Sequence, residues 1–184
     1  MTQVMATFEE LEAALDELRS APADGGTVEL VVRRPAENER EVLDEGTLDT
    51  GEGLVGDAWI NRGSRRHGGN PNPNAQLTLT GSRIAALVAG EREHWPLAGD
   101  QLFVDLDLSD ENLPPGTRLA VGSAVIEVTA EPHTGCDKYR ARFGLEALRF
   151  ISTPTGKSLN LRGVNTRVVE SGVVRPGDTI RKVA

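Results

Sequence analysis

The chain has 184 residues, 38% of them hydrophobic, a net charge of −8, one cysteine and three histidines. That length suits one domain with a proper core, one cysteine excludes an internal disulfide, and the acidic balance argues against nucleic acid as a partner. No apolar run is long enough to cross a bilayer and the N-terminus has no basic-then-apolar leader, so a cytoplasmic protein without a membrane partner is expected.

In chain order, Thr7 and Glu10 make a capping-box pattern, with Phe8, Leu11, Leu15 and Leu18 following at helical spacing. This predicts a helix ending before Pro22 and set off by Gly25-Gly26. Residues 1–26 therefore read as a helical extension, and 27–184 as the main domain. From Thr27 the signals are those of short strands. Thr27–Arg34 alternates, with Val28, Leu30 and Val32 expected on one face. Ala75–Thr80, Asp100–Leu106, Leu119–Val121, Ala124–Thr129, Val164–Val169 and Thr179–Val183 read likewise. Helical patches are expected at Ser82–Ala89 and around Leu145–Ile151, and residues 68–74 read as an irregular loop. With 20 glycines and 10 prolines punctuating the strands, the pattern favours a mainly β chain, an antiparallel barrel with a few short helices, over alternating βαβ units.

Charge is unevenly spread. Residues 1–60 hold 15 acids against 4 arginines, whereas residues 133–167 hold seven cations against Asp137 and Glu146. A local basic stretch on an acidic protein suggests a small anionic ligand rather than a polymer. The only cysteine, Cys136, lies in that stretch, followed by Lys138, Arg140 and Arg142. A lone cysteine is often just a small buried hydrophobe. Cations nearby, however, favour the thiolate, the form that attacks electrophiles and binds soft metals. His133 is a candidate partner, provided that Thr134-Gly135 turns the chain so that the two side chains meet.

Two further segments suit ligand chemistry. Gly51–Trp59 is glycine-rich and is followed by Arg62, Arg65, Arg66 and His67, a cluster that suits an oxyanion. Within it Asp57 is expected to tie the loop through an Asx-type turn. Arg162, Asn165 and Arg167 sit on a strand that closes on the turn Arg175–Asp178. His94, beside Trp95-Pro96, reads as structural. Zinc-ligand spacing and phosphate-loop fingerprints are absent. A cysteine hydrolase built on Cys136 and His133 ranks third, because the strand-rich frame gives it no support.

Taken in order, Gly53-Leu54-Val55-Gly56-Asp57, His67-Gly68-Gly69, a single cysteine after Glu127-Val128-Thr129, and Arg162-Gly163-Val164 running on to Gly177-Asp178 resemble the MOSC family. These are relatives of the C-terminal domain of molybdenum cofactor sulfurases, and the likeness spans about residues 27–183. It is to the short bacterial stand-alone members. The resemblance implies a MOSC-type β-barrel and a molybdenum cofactor (molybdopterin), with no pyridoxal-phosphate (PLP) site of the chain's own. Cys136 would either ligate molybdenum or carry a persulfide sulfur. Arg62, Arg65, Arg66, Arg162 and Arg167, with Asp57, Lys138 and Asn165, would hold the cofactor, while His133 and His67 would line the cleft beside Cys136. The implied partner is an electron-donor protein, for reduction of N-hydroxylated compounds, or a PLP-dependent cysteine desulfurase, for sulfur transfer. A non-catalytic barrel that binds pterin or another anion is the remaining alternative. Departures from the family pattern are Gly135, where proline commonly precedes the cysteine, Gly99-Asp100-Gln101 in place of a Gly-Glu-Asn turn, and a longer spacer before His67.

Overall fold

The structure, a computed structural model, describes residues 5–184. The N-terminal helical segment forms as two short pieces, α1 (Phe8–Ala13) and α2 (Leu15–Arg19), broken at Ala14. Thr7 and Glu10 make the capping box in full. Leu11 is completely buried, and Phe8 meets Phe150 edge-on at 6.0 Å.

The strands are β1 (Gly26–Arg33), β2 (Glu41–Val42), β3 (Gly46–Asp49), β4 (Gly53–Leu54), β5 (Leu77–Gly81), β6 (Leu102–Asp105), β7 (Arg118–Val121), β8 (Ala124–Val128), β9 (Val164–Glu170), β10 (Gly172–Val174) and β11 (Thr179–Val183). Three longer or tighter helices lie between them: α3 (Ser82–Ala89), α4 (Asp137–Ser152) and α5 (Pro154–Ser158). Seven strands close a ring in the order β1, β6, β5, β9, β8, β7, β11, and back to β1 through Gly26↔Ile180 and Thr27↔Thr179. Among the described residues only β5 and β6 pair in parallel, and α3 lies in the connection between them. Closure removes the exposed edges that would otherwise invite aggregation. A small sheet of β10, β3 and β4 sits beside the ring.

The molecule has two apolar layers of different make-up. Inside the ring the core is aliphatic, built from residues such as Val28, Val31, Leu79, Leu102, Ile126 and Ile180. The outer layer, between the ring and the helices, holds the aromatics, among them Phe103, Trp95, Tyr139, Phe143 and Phe150. Each fully buried Leu or Phe contributes about 1.5–3 kcal/mol relative to exposure, so both layers hold the barrel rigid beneath its polar mouth.

Three local expectations need correction. Val28 faces inward with Val31, whereas Leu30 and Val32 face the helices. A register shift between Val28 and Leu30 against β6 reverses the alternation, as a bulge does by inserting one extra residue. Secondly, β5 begins at Leu77, because Pro73–Ala75 forms a tight turn capped by Asn72. Thirdly, the helix expected near Leu145–Ile151 begins much earlier, at Asp137. Gly144, at φ 89°, kinks it and breaks the periodicity by which a continuous helix is recognised.

Candidate functional site

One end of the barrel gathers polar groups from distant parts of the chain. Gly99, at φ 88°, ends the tight helical turn Arg92–Ala98 and swings the backbone into β6. The following Asp100 side chain is thereby wholly buried. It accepts a hydrogen bond from His133 at 2.8 Å and from Arg162 Nη1 at 2.7 Å. Burial by itself would raise the Asp100 carboxyl. The charge of Arg162, with the hydrogen bonds from His133 and Arg162, outweighs it and holds the group far below the usual carboxylate range. Arg162 donates its other terminal nitrogen to Ala98 O at 3.0 Å and stacks over the Tyr139 ring. Its Nε is the single buried side-chain nitrogen or oxygen without a partner among the described residues.

Burial, reinforced by Arg162, lowers the His133 imidazole below its ordinary value, while Asp100 pulls the other way. The ring is therefore neutral near pH 7. A carboxylate only accepts, so Nε2 carries the proton and Nδ1 keeps its lone pair. Burial likewise pushes the Tyr139 phenol up, so it remains O–H.

A second acid–arginine pair braces the same end. Asp57 accepts from Arg34 N, Nε and Nη2 at 2.8, 3.0 and 2.8 Å, from Trp59 N, and from Gln101 Nε2. Gln101 in turn accepts from Thr78 N and Oγ1. Asp57 thus makes the expected Asx-type turn and also neutralises Arg34. Burial raises its carboxyl, and the Arg34 contacts lower it by more.

Three adjoining lobes open around His133, of about 220, 340 and 360 Å³. The 220 Å³ lobe contains Cys136, Tyr139, Arg162, Arg40, Arg62 and Arg142. Cys136 is exposed and stands at the N-terminal cap position of α4. Arg40 donates to Pro96 O and Arg142 to Leu97 O. Burial first, and then the charges of Arg142 and Arg34 on Arg40 and of Arg34 on Arg62, push both below the ordinary guanidinium range. Neither has a salt-bridge partner among the described residues; Glu37, the carboxylate on the lobe's lining, pairs with Lys138, and Asp57 and Asp100 behind it are already paired.

The predicted residues therefore divide. His133, Cys136, Arg62, Lys138 and Arg162 share one lobe. Lys138 lies at its rim, paired with Glu37 at 2.8 Å. Asn165 lines the 360 Å³ lobe and holds the Glu131 and Pro132 carbonyls. Arg65, Arg66 and His67 form an outlying turn that lines none of the three lobes. Arg167 pairs with Glu127 at 2.6 Å instead, with its side chain 47% exposed. His133 and Cys136 share the lobe, but no hydrogen bond joins them.

Sequence reasoning missed Asp100, Arg34, Arg40, Gln101 and Tyr139. For Asp100 and Gln101 the signal was present, because they are the two residues that replace the family's Glu-Asn. Structure also accounts for Gly135. A Cβ there would meet Leu148 Cδ1 at 2.4 Å and Ile151 Cδ1 at 3.0 Å, so any other residue requires those side chains of α4 to shift.

Among solved structures the fold is similar to that of the YuaD protein of Bacillus subtilis, at 18% identity and a TM-score of 0.62 over 84% of this chain and 93% of that one. It is also similar to YiiM of Escherichia coli, at 22% identity and a TM-score of 0.55 over 86% and 70%. YiiM of Geobacillus stearothermophilus gives 16% and 0.53 over 88% and 74%. No curated protein matches the sequence significantly. The MOSC domain profile matches residues 64–181, a stretch that carries Asp100, His133, Cys136 and Arg162 together. By that match the chain belongs to the MOSC domain family.

Proposed function

We propose that the cleft binds a phosphorylated metal cofactor of the molybdopterin class and that the Cys136 thiolate is its protein ligand. The observation that carries this reading is the 220 Å³ lobe, where Arg40, Arg62 and Arg142 have no carboxylate partner among the described residues and line the same lobe as an exposed thiol. Like charges held together at partial burial repel, and a polyanion relieves that repulsion. The donor set fits the group. Guanidinium forks suit phosphate oxygens, the unpartnered Arg162 Nε offers a further donor, and a thiolate is a soft ligand. When bound, such a cofactor supplies two-electron redox chemistry at its metal.

The chain's own residues do the rest. Arg40, Arg62 and Arg142 bind and orient the anionic part. Asp57 and Arg34 hold the floor, and Asn165 pins the loop that carries His133. The reaction class this supports is reduction of N-hydroxylated compounds, with electrons from a separate protein. A second reading is favoured by the exposure of Cys136. An open thiol is reachable by a persulfide on a cysteine desulfurase, and the chain would then be a sulfur carrier.

Elemental and intact-mass analysis of one native preparation, from a host that makes the cofactor, separates the two. The first reading expects molybdenum near one per chain, and the second expects one extra sulfur removable by reductant. Full loading and full activity in Cys136→Ser would overturn both. Absence of molybdenum, extra sulfur and pterin binding together would leave a non-catalytic anion-binding barrel.

A further inference from the structure

His133 is the only side chain that lines all three lobes. Its Nε2 is fixed on Asp100 at 2.8 Å, and Asp100 is itself fixed by Arg162 at 2.7 Å. Among the described residues the Nδ1 atom has no partner, and it is not one of the buried unsatisfied atoms, so it is open to the cleft. The charged and titratable groups around the ring come from every neighbouring element. They are Asp100 ahead of β6, Arg162 ahead of β9, Arg34 after β1, Arg62 in the loop after β4, Cys136 at the cap of α4, Tyr139 on α4, Lys157 on α5 and Glu131 on its own loop, with Glu37, Arg40, Lys138 and Arg142 farther out in the 220 Å³ lobe.

We propose that His133 is the proton shuttle of the cleft, Nδ1 taking a proton from water and passing it to the bound substrate, with Asp100 as the positioning residue that fixes the tautomer. This rests on the reductase reading above. Reduction of an N-hydroxylated substrate breaks the N–O bond, R₂N–OH + 2e⁻ + 2H⁺ → R₂NH + H₂O, with both electrons from the donor protein. One proton, delivered by His133, must reach the departing oxygen, which leaves as water, and the second reaches the nitrogen from solvent. Imidazolium beside Arg162 is a disfavoured state and gives its proton up readily, while Nε2–H stays on Asp100 throughout. Tyr139, which lines the same lobe, remains protonated.

The first test uses the unsubstituted, full-length, cofactor-free protein. Nitrogen-15 NMR is expected to show His133 as the Nε2–H tautomer at pH 7, with imidazolium appearing only below about pH 6.5. Diethyl pyrocarbonate, which acylates a free imidazole lone pair, is expected to modify His133 in peptide maps. Asp100→Asn should mix the tautomers, because an amide both donates and accepts. An Nδ1–H tautomer in the unsubstituted protein, or a His133 that is never acylated, overturns the proposal.

The second test uses loaded protein with an N-hydroxylated amidine and reduced viologen as electron source. His133→Gln should lower kcat about 10²- to 10⁴-fold with KM and molybdenum content unchanged, and should flatten the fall of kcat with rising pH. Unchanged kcat overturns the proposal. If His133→Gln loses the cofactor, the NMR and acylation results decide alone. Absence of molybdenum from the unsubstituted protein counts against the function reading, and the tautomer and acylation measurements still decide the shuttle.

Discussion

The two buried acid–arginine pairs at the barrel mouth, Asp57 with Arg34 and Asp100 with Arg162, differ in completeness. Asp57 receives five donors, and Arg34 uses its remaining nitrogen on Gly99 O at 2.9 Å. Nothing is left over, and the pair braces the floor. Asp100 receives only His133 and Arg162, and Arg162 retains a buried, unpartnered Nε. An unmade hydrogen bond in a dry place costs free energy that a fully satisfied pair avoids. The incomplete pair is therefore the one poised to meet a ligand, and it lies one residue from Gln101, which belongs to the complete pair.

The sharpest way to break this contrast is to remove each acid. Asp57→Ala strands Arg34 among packed groups and is expected to cost about 3–5 kcal/mol in urea denaturation. Asp100→Ala should cost less, about 1.5–3 kcal/mol, because only two donors lose their acceptor there, against five at Asp57. Equal losses would mean that both pairs are scaffold.

Next in size is Gly135→Ala, whose Cβ would press on Leu148 Cδ1. It is expected to lose about 1–3 kcal/mol, with part recovered in the double variant Gly135→Ala/Leu148→Ala. A cost that Leu148→Ala leaves unrelieved would show that the loop is not held there.

A smaller effect is the acid dependence of stability. His133 has a lowered value in the fold, so below about pH 6.5 the unfolded chain takes up protons first and stability falls. Asp57 and Asp100 are also lowered, so their contribution is present above about pH 4 and is lost as pH falls through their folded values. Denaturation midpoints across pH should therefore decline in two stages. His133→Gln should remove the upper stage alone. The smallest effect is expected at Arg167→Ala, which breaks an exposed pair with Glu127. It should cost at most about 1 kcal/mol and leave pyrophosphate binding intact, whereas Arg62→Ala should weaken that binding. The reverse result would move the anion site to the barrel wall.

How far the sequence reaches differs between fold and site. The barrel is legible because short alternating strands and turns are local signals. Val28, Leu30 and Val32 show the limit, since the bulge that separates them is set by pairing with β6. At the site, Cys136 and His133 stand out in a basic stretch. The same basic signal in Arg65, Arg66 and Arg167 leads away from the cleft, because charge in a sequence carries no direction in space.

By itself, then, the sequence determined the strand-rich fold class, the capped N-terminal helix and the lone thiol in a cationic segment. All of these follow from residue type and near-neighbour spacing. Only the tertiary structure decided that Asp100, 33 residues from its histidine and 62 from its arginine, holds both. It also decided that Arg34 is neutralised by Asp57, and that Cys136 stands at the head of α4. Barrel closure places those groups in one buried volume, where desolvation makes pairing obligatory. No local pattern encodes that proximity.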